Sequence, residues 1–223
     1  MKVIAIDGAC YHNGKPDSVA CGAFVAIDND ADNKFVASDI KHGIKVEQGG
    51  TNQRGELLGL IAALEYIVDH PGNFLIITDS EYLFNAMTKD WMHNWDNNHW
   101  LTAAGEVVKN IDLWKDILQL KLSIDRVCED APCFIHIKGH VISFGAVTRH
   151  KLLEADPSGF KLILEMLRKY DGDLYFRQKE VEKAQACSMK NNGFEFEHSQ
   201  LKRFVVLNML ADSFASDQIE IYK

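Results

Sequence analysis

No apolar run in this 223-residue sequence approaches the length that a membrane span requires. The opening stretch, MKVIAIDG, enters an apolar strand pattern at once, without a basic region and a long apolar stretch behind it, so no signal peptide is expected. The five cysteines, Cys10, Cys21, Cys128, Cys133 and Cys187, are odd in number and contain no C-x-x-C pair. Neither a disulfide framework nor a zinc site is expected from them, and free thiols in a reducing compartment are. Positive charge is also scarce: 24 basic residues stand against 32 acidic ones, a formal net charge of −8. That balance argues against a non-specific polyanion binder, which usually carries a basic footprint. Cations held by acidic side chains can reverse this locally. The expectation is a soluble, cytoplasmic monomer with no membrane partner.

What is present suits a sizeable core: 47% of residues are hydrophobic and 25% charged. VIAI (3–6) reads as a buried strand ending at Asp7-Gly8. VACGAFVAID (19–28) and FVASDIKHGIKVE (35–47) read as two more, separated by the polar turn DNDADN. The spacing then changes. Leu57, Leu60, Ile61, Leu64 and Val68 recur at helical intervals over 51–70, with Thr51 or Asn52 as cap and Pro71-Gly72 as stop. Gly55 and Gly59 weaken that helix but permit close packing on a sheet. FLIITD (74–79) reads as a central parallel strand, 81–91 and 110–124 as helices, CFIHIK (133–138) as a strand and 203–219 as a terminal helix. This order predicts an α/β fold, a mixed sheet with helices packed on it. Residues 141 to about 202 differ. Helical pieces at 159–170 and 177–187 alternate with Gly-, Asp- and Asn-rich breaks, as in an insertion within a domain.

Three acids stand where sites form in such sheets: Asp7 and Asp79 end strands, and Glu56 lies in the first turn of the first helix. Carboxylates brought close together repel, and a divalent cation removes the conflict. An all-oxygen donor set suits Mg²⁺ or Mn²⁺. Two such ions about 4 Å apart can clamp a phosphodiester, one activating water and the other stabilising the leaving oxygen. Taken singly, each carboxylate also fits a plain role as a strand end or a helix-start acid.

The wider text resembles type 1 ribonuclease H. IDGACYHNG is similar to that family's opening TDGS-C-x-x-N, and GGTNQRGELLGLIAALE to its TNNRMEL…A…ALE helix. ITDSEYLFNAMTKDWMHNW resembles TDSQYV…WIHNW, and VVKNIDLWKDI resembles VKNVDLW. HIKGH resembles VKGH, and NMLADSFA resembles NELADRLA. Six motifs in the family's order cover residues 1–140 and roughly 204–223, and an ordered series is far more specific than TDS alone. The resemblance implies a ribonuclease H-like five-stranded mixed sheet flanked by helices, in a catalytic domain of 1–140 plus 204–223. Residues 141–203 would be a mostly helical insertion.

It also implies a metal-dependent endoribonuclease that cuts the RNA strand of RNA·DNA hybrids and leaves 5′-phosphate and 3′-hydroxyl ends. Asp7, Glu56, Asp79 and Asp212 fall on the family's four metal-holding carboxylates, for two Mg²⁺ ions with Mn²⁺ as a substitute. Periodicity alone makes Asp212 only an edge-of-face helical residue. His140 matches the family histidine that assists turnover. Asn13, Thr51 and Asn52 match contacts to a DNA phosphate, and Gln53 a minor-groove amide. The backbone around Cys10 and the Glu56 carboxylate match contacts to RNA 2′-hydroxyls, which distinguish RNA from DNA without reading bases. Cys10 also fits a small buried residue, and Lys138 reads either as a nearby positive charge or as a strand-end surface lysine.

Two departures stand out. Glu81 occupies a position where many members carry a base-contacting Gln, and it equally suits a first-turn helix acid. WMHNWDNNHW (91–100) encloses Asp96, Asn97, Asn98 and His99, where bacterial members carry a basic handle that grips DNA. Trp91 and Trp95, at helical spacing, are expected to pack this helix on its neighbours. Residues 141–207 hold 11 basic against 9 acidic residues, and the remainder 13 against 23. The insertion is thus the relatively basic part, with Arg168, Lys169, Tyr170, Arg177, Lys179, Lys202, Arg203 and Phe204 as candidate backbone contacts. Two other classes fit less well: a catalytically weak hybrid-binding accessory module, which has no need of four converging acids, and a DNA-directed nuclease of the same fold. A compact, acidic chain of this kind suits a bacterial cytoplasm or, for a viral protein, the host's.

Overall fold

The computed structural model describes residues 1–28, 39–141, 146–156, 158–159, 161–165 and 178–222. Five strands, β1 (Lys2–Tyr11), β2 (Val19–Asp28), β3 (Lys41–Gln48), β4 (Phe74–Thr78) and β5 (Cys133–His136), form one sheet in the order β3-β2-β1-β4-β5. The pairs β1·β2 and β2·β3 are antiparallel, whereas β1·β4 and β4·β5 are parallel. The mixed α/β sheet flanked by helices expected from the element order is therefore the architecture observed.

Side chains alternate along β1 and feed two cores. Ile4 and Ile6 face α1 (Asn52–Asp69) and α4 (Ile111–Val127), whereas Val3 and Ala5 face the terminal helix α7 (His198–Glu220). Helix α1 is apolar nearly all round because α4 covers the side that the sheet does not. Leu57, Leu60 and Leu64 are fully buried, each worth about 1.5–3 kcal/mol. Thr51 caps this helix, its hydroxyl accepting the Arg54 N–H at 3.3 Å. The guanidinium of Arg54 then spans Glu47 at the end of β3 and Asp112 at the start of α4, fixing three elements together.

Four glycines set how closely α1 lies on the sheet. A Cβ at Gly8 would stand 2.2 Å from the Glu56 nitrogen, and one at Gly22 would stand 2.0 Å from the Gly59 nitrogen. Gly55 and Gly59 face the same contact from the helix. Backbone therefore meets backbone where any other residue would hold the two apart.

Several boundaries differ from the sequence reading. Strand β1 continues past Asp7-Gly8 to Tyr11, because Gly8 serves the helix contact and does not stop the strand. The expected helix over 81–91 is two, α2 (Glu81–Thr88) and α3 (Trp91–Asn97), broken at Asp90 in a left-handed conformation (φ 54°). Asp tolerates that conformation better than most residues. Helix α7 begins at His198, five residues before the expected start, owing to a reciprocal capping box between Glu197 and Gln200. The boundary expected at 203/204 therefore falls inside a helix. Residues 161–165 are helical, and the rest of the expected 159–170 helix from 166 onward lies outside the described residues, as do 35–38 ahead of β3. Helix α5 (Ala146–Ala155) is not signalled by apolar spacing, and α6 (Gln178–Asn192) extends five residues beyond the expected 187. Leu162, Ile163, Ala184 and Phe196 join the α7 side of the core, so segment 141–203 packs on the sheet itself. No helix among the described residues is long and apolar enough to cross a membrane.

Trp91 and Trp95 pack as expected. Trp95 lies 5.4 Å from Trp114 and 6.0 Å from Trp91, and Trp91 lies 6.4 Å from Tyr82. Trp100 is buried beneath the Lys115 ammonium, while Asp96, Asn97, Asn98 and His99 form an exposed tip.

Candidate active site

Three carboxylates converge where the parallel pairing of β1 with β4 ends, Asp7 within β1 and Asp79 just beyond β4. Asp7 points from β1 to the α7 side, Asp79 directly follows β4, and the glycine contact draws α1 down so that Glu56 reaches them; Glu56 lies just past the first turn of α1, which begins at Asn52, and not within it as expected. One oxygen from each lies within 4.8 Å of the others. The Gly8 N–H donates to Asp7 Oδ1 at 2.7 Å, and Asn208 Nδ2 donates to Asp7 Oδ2 at 3.2 Å. Glu56 Oε2 is buried with no hydrogen-bond partner.

Such a cluster cannot ionise at ordinary pH without compensation. Burial first, then the charges of Asp79, Glu56 and Asp212, push Asp7 well above the usual carboxylate range. Burial, Asp79 and Asp212 do the same to Glu56. Asp79 is raised mainly by burial and also by Asp212, while His140 and Lys138 draw it part of the way back. Protonation, or a cation, is needed to hold the group together. An all-oxygen donor set with one orphaned buried oxygen fits a hard divalent cation.

Asp212 lies outside that triangle. With Lys138, His140 and Asn208 it lines a narrow cleft beside it, and its Oδ1 accepts the Ser216 hydroxyl at 2.9 Å. Its charge still acts on all three of the other acids. Asn208, one helical turn before Asp212, brings α7 onto Asp7, which the Asn-x-x-x-Asp spacing signals. His140 is exposed on the loop after β5 with φ 52°. The preceding Gly139 is required by Asp79, because a Cβ there would stand 1.8 Å from Asp79 Oδ2.

The remaining expected contacts ring the start of α1. Asn13 Oδ1 accepts the Asn52 N–H at 3.2 Å, which joins the β1–β2 turn to the helix beside Thr51. Asn52 and Gln53 are exposed, whereas Cys10 is half-buried, its thiol near the Gly50 carbonyl. Glu81 forms an exposed ion pair with Lys190 of α6 at 3.1 Å. Of the expected contacts to a nucleic-acid backbone, Lys202 is half-buried, whereas Arg203 and Phe204 are buried and are not surface contacts. They sit on the inward face of α7, whose extra first turn points them into the core. Arg168, Lys169, Tyr170, Arg177 and the Lys179 side chain lie outside the described residues.

Sequence reasoning missed one group entirely. The buried His136 places Nε2 3.1 Å from the Asp79 carbonyl oxygen, and Nδ1 lies 3.0 Å from Asn191 Nδ2 and 3.4 Å from Cys187 Sγ. Burial holds its pKa below the ordinary imidazole range. Asn192 meets both backbone groups of His136: its Oδ1 accepts the N–H at 2.9 Å and its Nδ2 donates to the carbonyl at 2.7 Å. No local pattern links residues more than fifty positions apart.

The RNase H family profile matches residues 1–146. A ribonuclease H of Jannaschia sp. (strain CCS1) is 36% identical over 155 residues, which is 70% of this chain and 90% of that protein. A ribonuclease H of Caldicellulosiruptor saccharolyticus is 35% identical over 139 residues, 62% of this chain and 83% of that one. Among solved structures, LC9-RNase H1, a type 1 RNase H with the type 2 active-site motif, aligns with a TM-score of 0.49 at 24% identity, over 62% of this chain and 63% of that one. With the family profile covering well over half of the sequence and relatives matched over most of their own length, the chain belongs to the type 1 ribonuclease H family.

Proposed function

We propose that this ribonuclease H is a Mg²⁺-dependent endonuclease that hydrolyses the RNA strand of RNA·DNA hybrids and leaves 5′-phosphate and 3′-hydroxyl ends, with Mn²⁺ able to substitute. The observation that carries this reading is the largely buried Asp7–Glu56–Asp79 triangle with its unpartnered, buried Glu56 oxygen. Asp7, Glu56 and Asp79 are the residues to hold one ion, and Asp212, across the cleft, helps to hold a second. Bound there, the ions would neutralise the scissile phosphate and lower the barrier to attack by water.

The chain's own residues do the rest. Asn13, Thr51 and Asn52 cluster at the start of α1, uncharged side chains where the helix dipole favours a phosphate of the DNA strand. Gln53 reaches the minor groove. Glu56 and the backbone around Cys10 meet 2′-hydroxyls, the groups that mark the RNA strand. His140, exposed beside Lys138 at the cleft, assists turnover by carrying a proton to the departing 3′-oxygen. Residues 1–140 with 204–223 act as the catalytic unit and 141–203 as an insertion upon it. The enzyme works as a cytoplasmic monomer.

The test is a labelled RNA·DNA hybrid incubated beside duplex DNA and duplex RNA, with Mg²⁺, with EDTA, and with Asp79→Asn. Only the hybrid is expected to be cut, and both EDTA and the substitution should abolish cleavage. Hybrid binding without cleavage would indicate an accessory module, and cutting of duplex DNA a DNA-directed nuclease. Undiminished cutting by Asp79→Asn would overturn the metal assignment.

A further inference from the structure

Helix α6 ends against the edge of the sheet, beside the carboxylate cluster. Strand β5 pairs with β4 only as far as Thr78, whose carbonyl accepts the Ile137 N–H at 2.9 Å. The next carbonyl along β4 is that of Asp79, and there the ladder has stopped. Its donor is a side chain, His136 Nε2, at 3.1 Å. A carbonyl oxygen can only accept, so Nε2 carries the ring hydrogen and Nδ1 of the neutral ring must accept. The Asn191 Nδ2 group, which can only donate, stands 3.0 Å from Nδ1. The tautomer that holds Asp79 is therefore the one that Asn191 selects. Asn192 completes the attachment through its two bonds to the His136 backbone and a third to Ser188 Oγ at 3.0 Å.

We propose that the end of α6 is a clamp that positions Asp79, with Asn191 and Asn192 acting through His136. The bonds of both asparagines run to His136 and within α6, not to the carboxylates; both are positioning residues. The need for a clamp lies in the cluster itself. Asp79 sits just beyond the last ladder bond of its strand and faces Asp7 and Glu56 within 4.8 Å, so mutual repulsion pushes it outward in the direction in which strand ends fray. Metal ligands must be held to about 0.5 Å to bind well. A hydrogen bond to the Asp79 carbonyl, backed by a fixed ring, restrains the backbone from which the carboxylate hangs. Lys190 adds a second attachment two residues on, through its ion pair with Glu81. All of these partners come from residues 187–192, so segment 141–203 contributes to the cation site without supplying a ligand. This inference rests on the metal reading above.

The experiment measures Mn²⁺ binding by electron paramagnetic resonance on the full chain. It compares the parent with Asn191→Ala, Asn192→Ala, His136→Ala, His136→Gln, and Lys183→Ala as an α6 substitution away from the clamp. Circular dichroism checks the fold at the assay temperature. Asn191→Ala and Asn192→Ala should weaken Mn²⁺ about tenfold, the scale expected for partners that orient a ligand. Lys183→Ala should bind as the parent does. Excess metal should restore turnover of the asparagine variants while KM for the hybrid stays unchanged, a split that a general loss of stability does not produce. His136→Gln keeps an N–H donor and should recover part of the affinity lost in His136→Ala. Parental Mn²⁺ affinity in folded Asn191→Ala overturns the clamp, and this variant carries the test alone if Asn192→Ala fails to fold. Asp79→Asn separates the two readings: if the parent binds no Mn²⁺, or Asp79→Asn binds it equally well, the metal reading falls and the clamp with it. If the parent binds, Asp79→Asn does not, and the asparagine variants match the parent, only the clamp falls.

Discussion

Replacing Glu56 by Gln should stabilise the metal-free enzyme while disabling it. The nearest oxygens of Glu56, Asp7 and Asp79 lie within 4.8 Å of one another. At that separation each ionised pair costs about 3 kcal/mol at an effective dielectric near 20. The protein can escape by holding a proton on one carboxyl, at about 1.4 kcal/mol per pH unit above its ordinary value, or roughly 5 kcal/mol at pH 8. Either route penalises the folded state. Gln removes one corner of the triangle and offers an amide N–H to its neighbours in place of an orphaned oxygen. Allowing for relaxation and water entry, a net gain of about 2 kcal/mol is expected, a rise of about 4–8 °C in Tm for a chain of this size. The folded-state pKa of Glu56 is raised. The penalty is therefore absent below the unfolded value near 4.3 and grows as pH climbs through the folded value. The advantage of Glu56→Gln should accordingly grow as pH rises towards 8 and be gone at pH 4. Divalent cation should shrink that advantage, and reverse it where the variant binds poorly, because the parent gains about 2.7 kcal/mol at one hundred times its Kd and the variant gains less. Calorimetric melts in EDTA from pH 4 to 8, repeated in Mg²⁺, read all three effects. A variant no more stable than the parent in EDTA at pH 8, or equally advantaged at both pH extremes, would refute the reasoning.

Gly139→Ala forces a Cβ into the space of Asp79 Oδ2. Hybrid cleavage should fall about a hundredfold through misplacement of a ligand with little change in Tm, and near-parental turnover would contradict the position of Asp79. Gly22→Ala drives a methyl into the α1 backbone and should cost about 3 kcal/mol by urea midpoint. Gly72→Ala, which meets only the Phe74 ring at 3.7 Å, serves as its near-neutral control. Arg54→Met breaks the link between Glu47 and Asp112. Asp112 is largely solvent-exposed, so the loss should be about 1 kcal/mol and should shrink in high salt, again by urea melts.

The sheet and its carboxylates were legible because their signals are local. Apolar runs such as FLIIT mark strands, an acid directly after the apolar run of each central strand (Asp7 after VIAI, Asp79 after FLIIT) marks the site, and Thr51 followed by periodic leucines marks α1. The break at Asp90 was not legible, since it depends on one residue adopting a left-handed backbone inside an otherwise continuous helical pattern. Gly8 was misread as a strand stop because a glycine needed for close approach looks the same in sequence as a glycine needed for a turn. Asp212 emerged only through resemblance, its periodicity being that of any edge residue. The His136–Asn191–Asn192 group joins residues 55 and 56 positions apart, a pairing that no window along the chain can reveal.

The Asn192 amide also has a consequence for how the molecule behaves in company. Strand β5 is an outer strand of the sheet, and an uncovered outer strand is a template on which another chain can add. By taking up both the N–H and the carbonyl of His136, Asn192 occupies that template with a side chain. A truncation that removes residues 141–197 would uncover it, together with the nearby half-buried Phe134 and Ile135, and self-association would follow. Any loss of hybrid affinity in such a truncation would then mix two effects, weaker grip and fewer free molecules. Point substitutions that leave Asn192 in place keep the two apart.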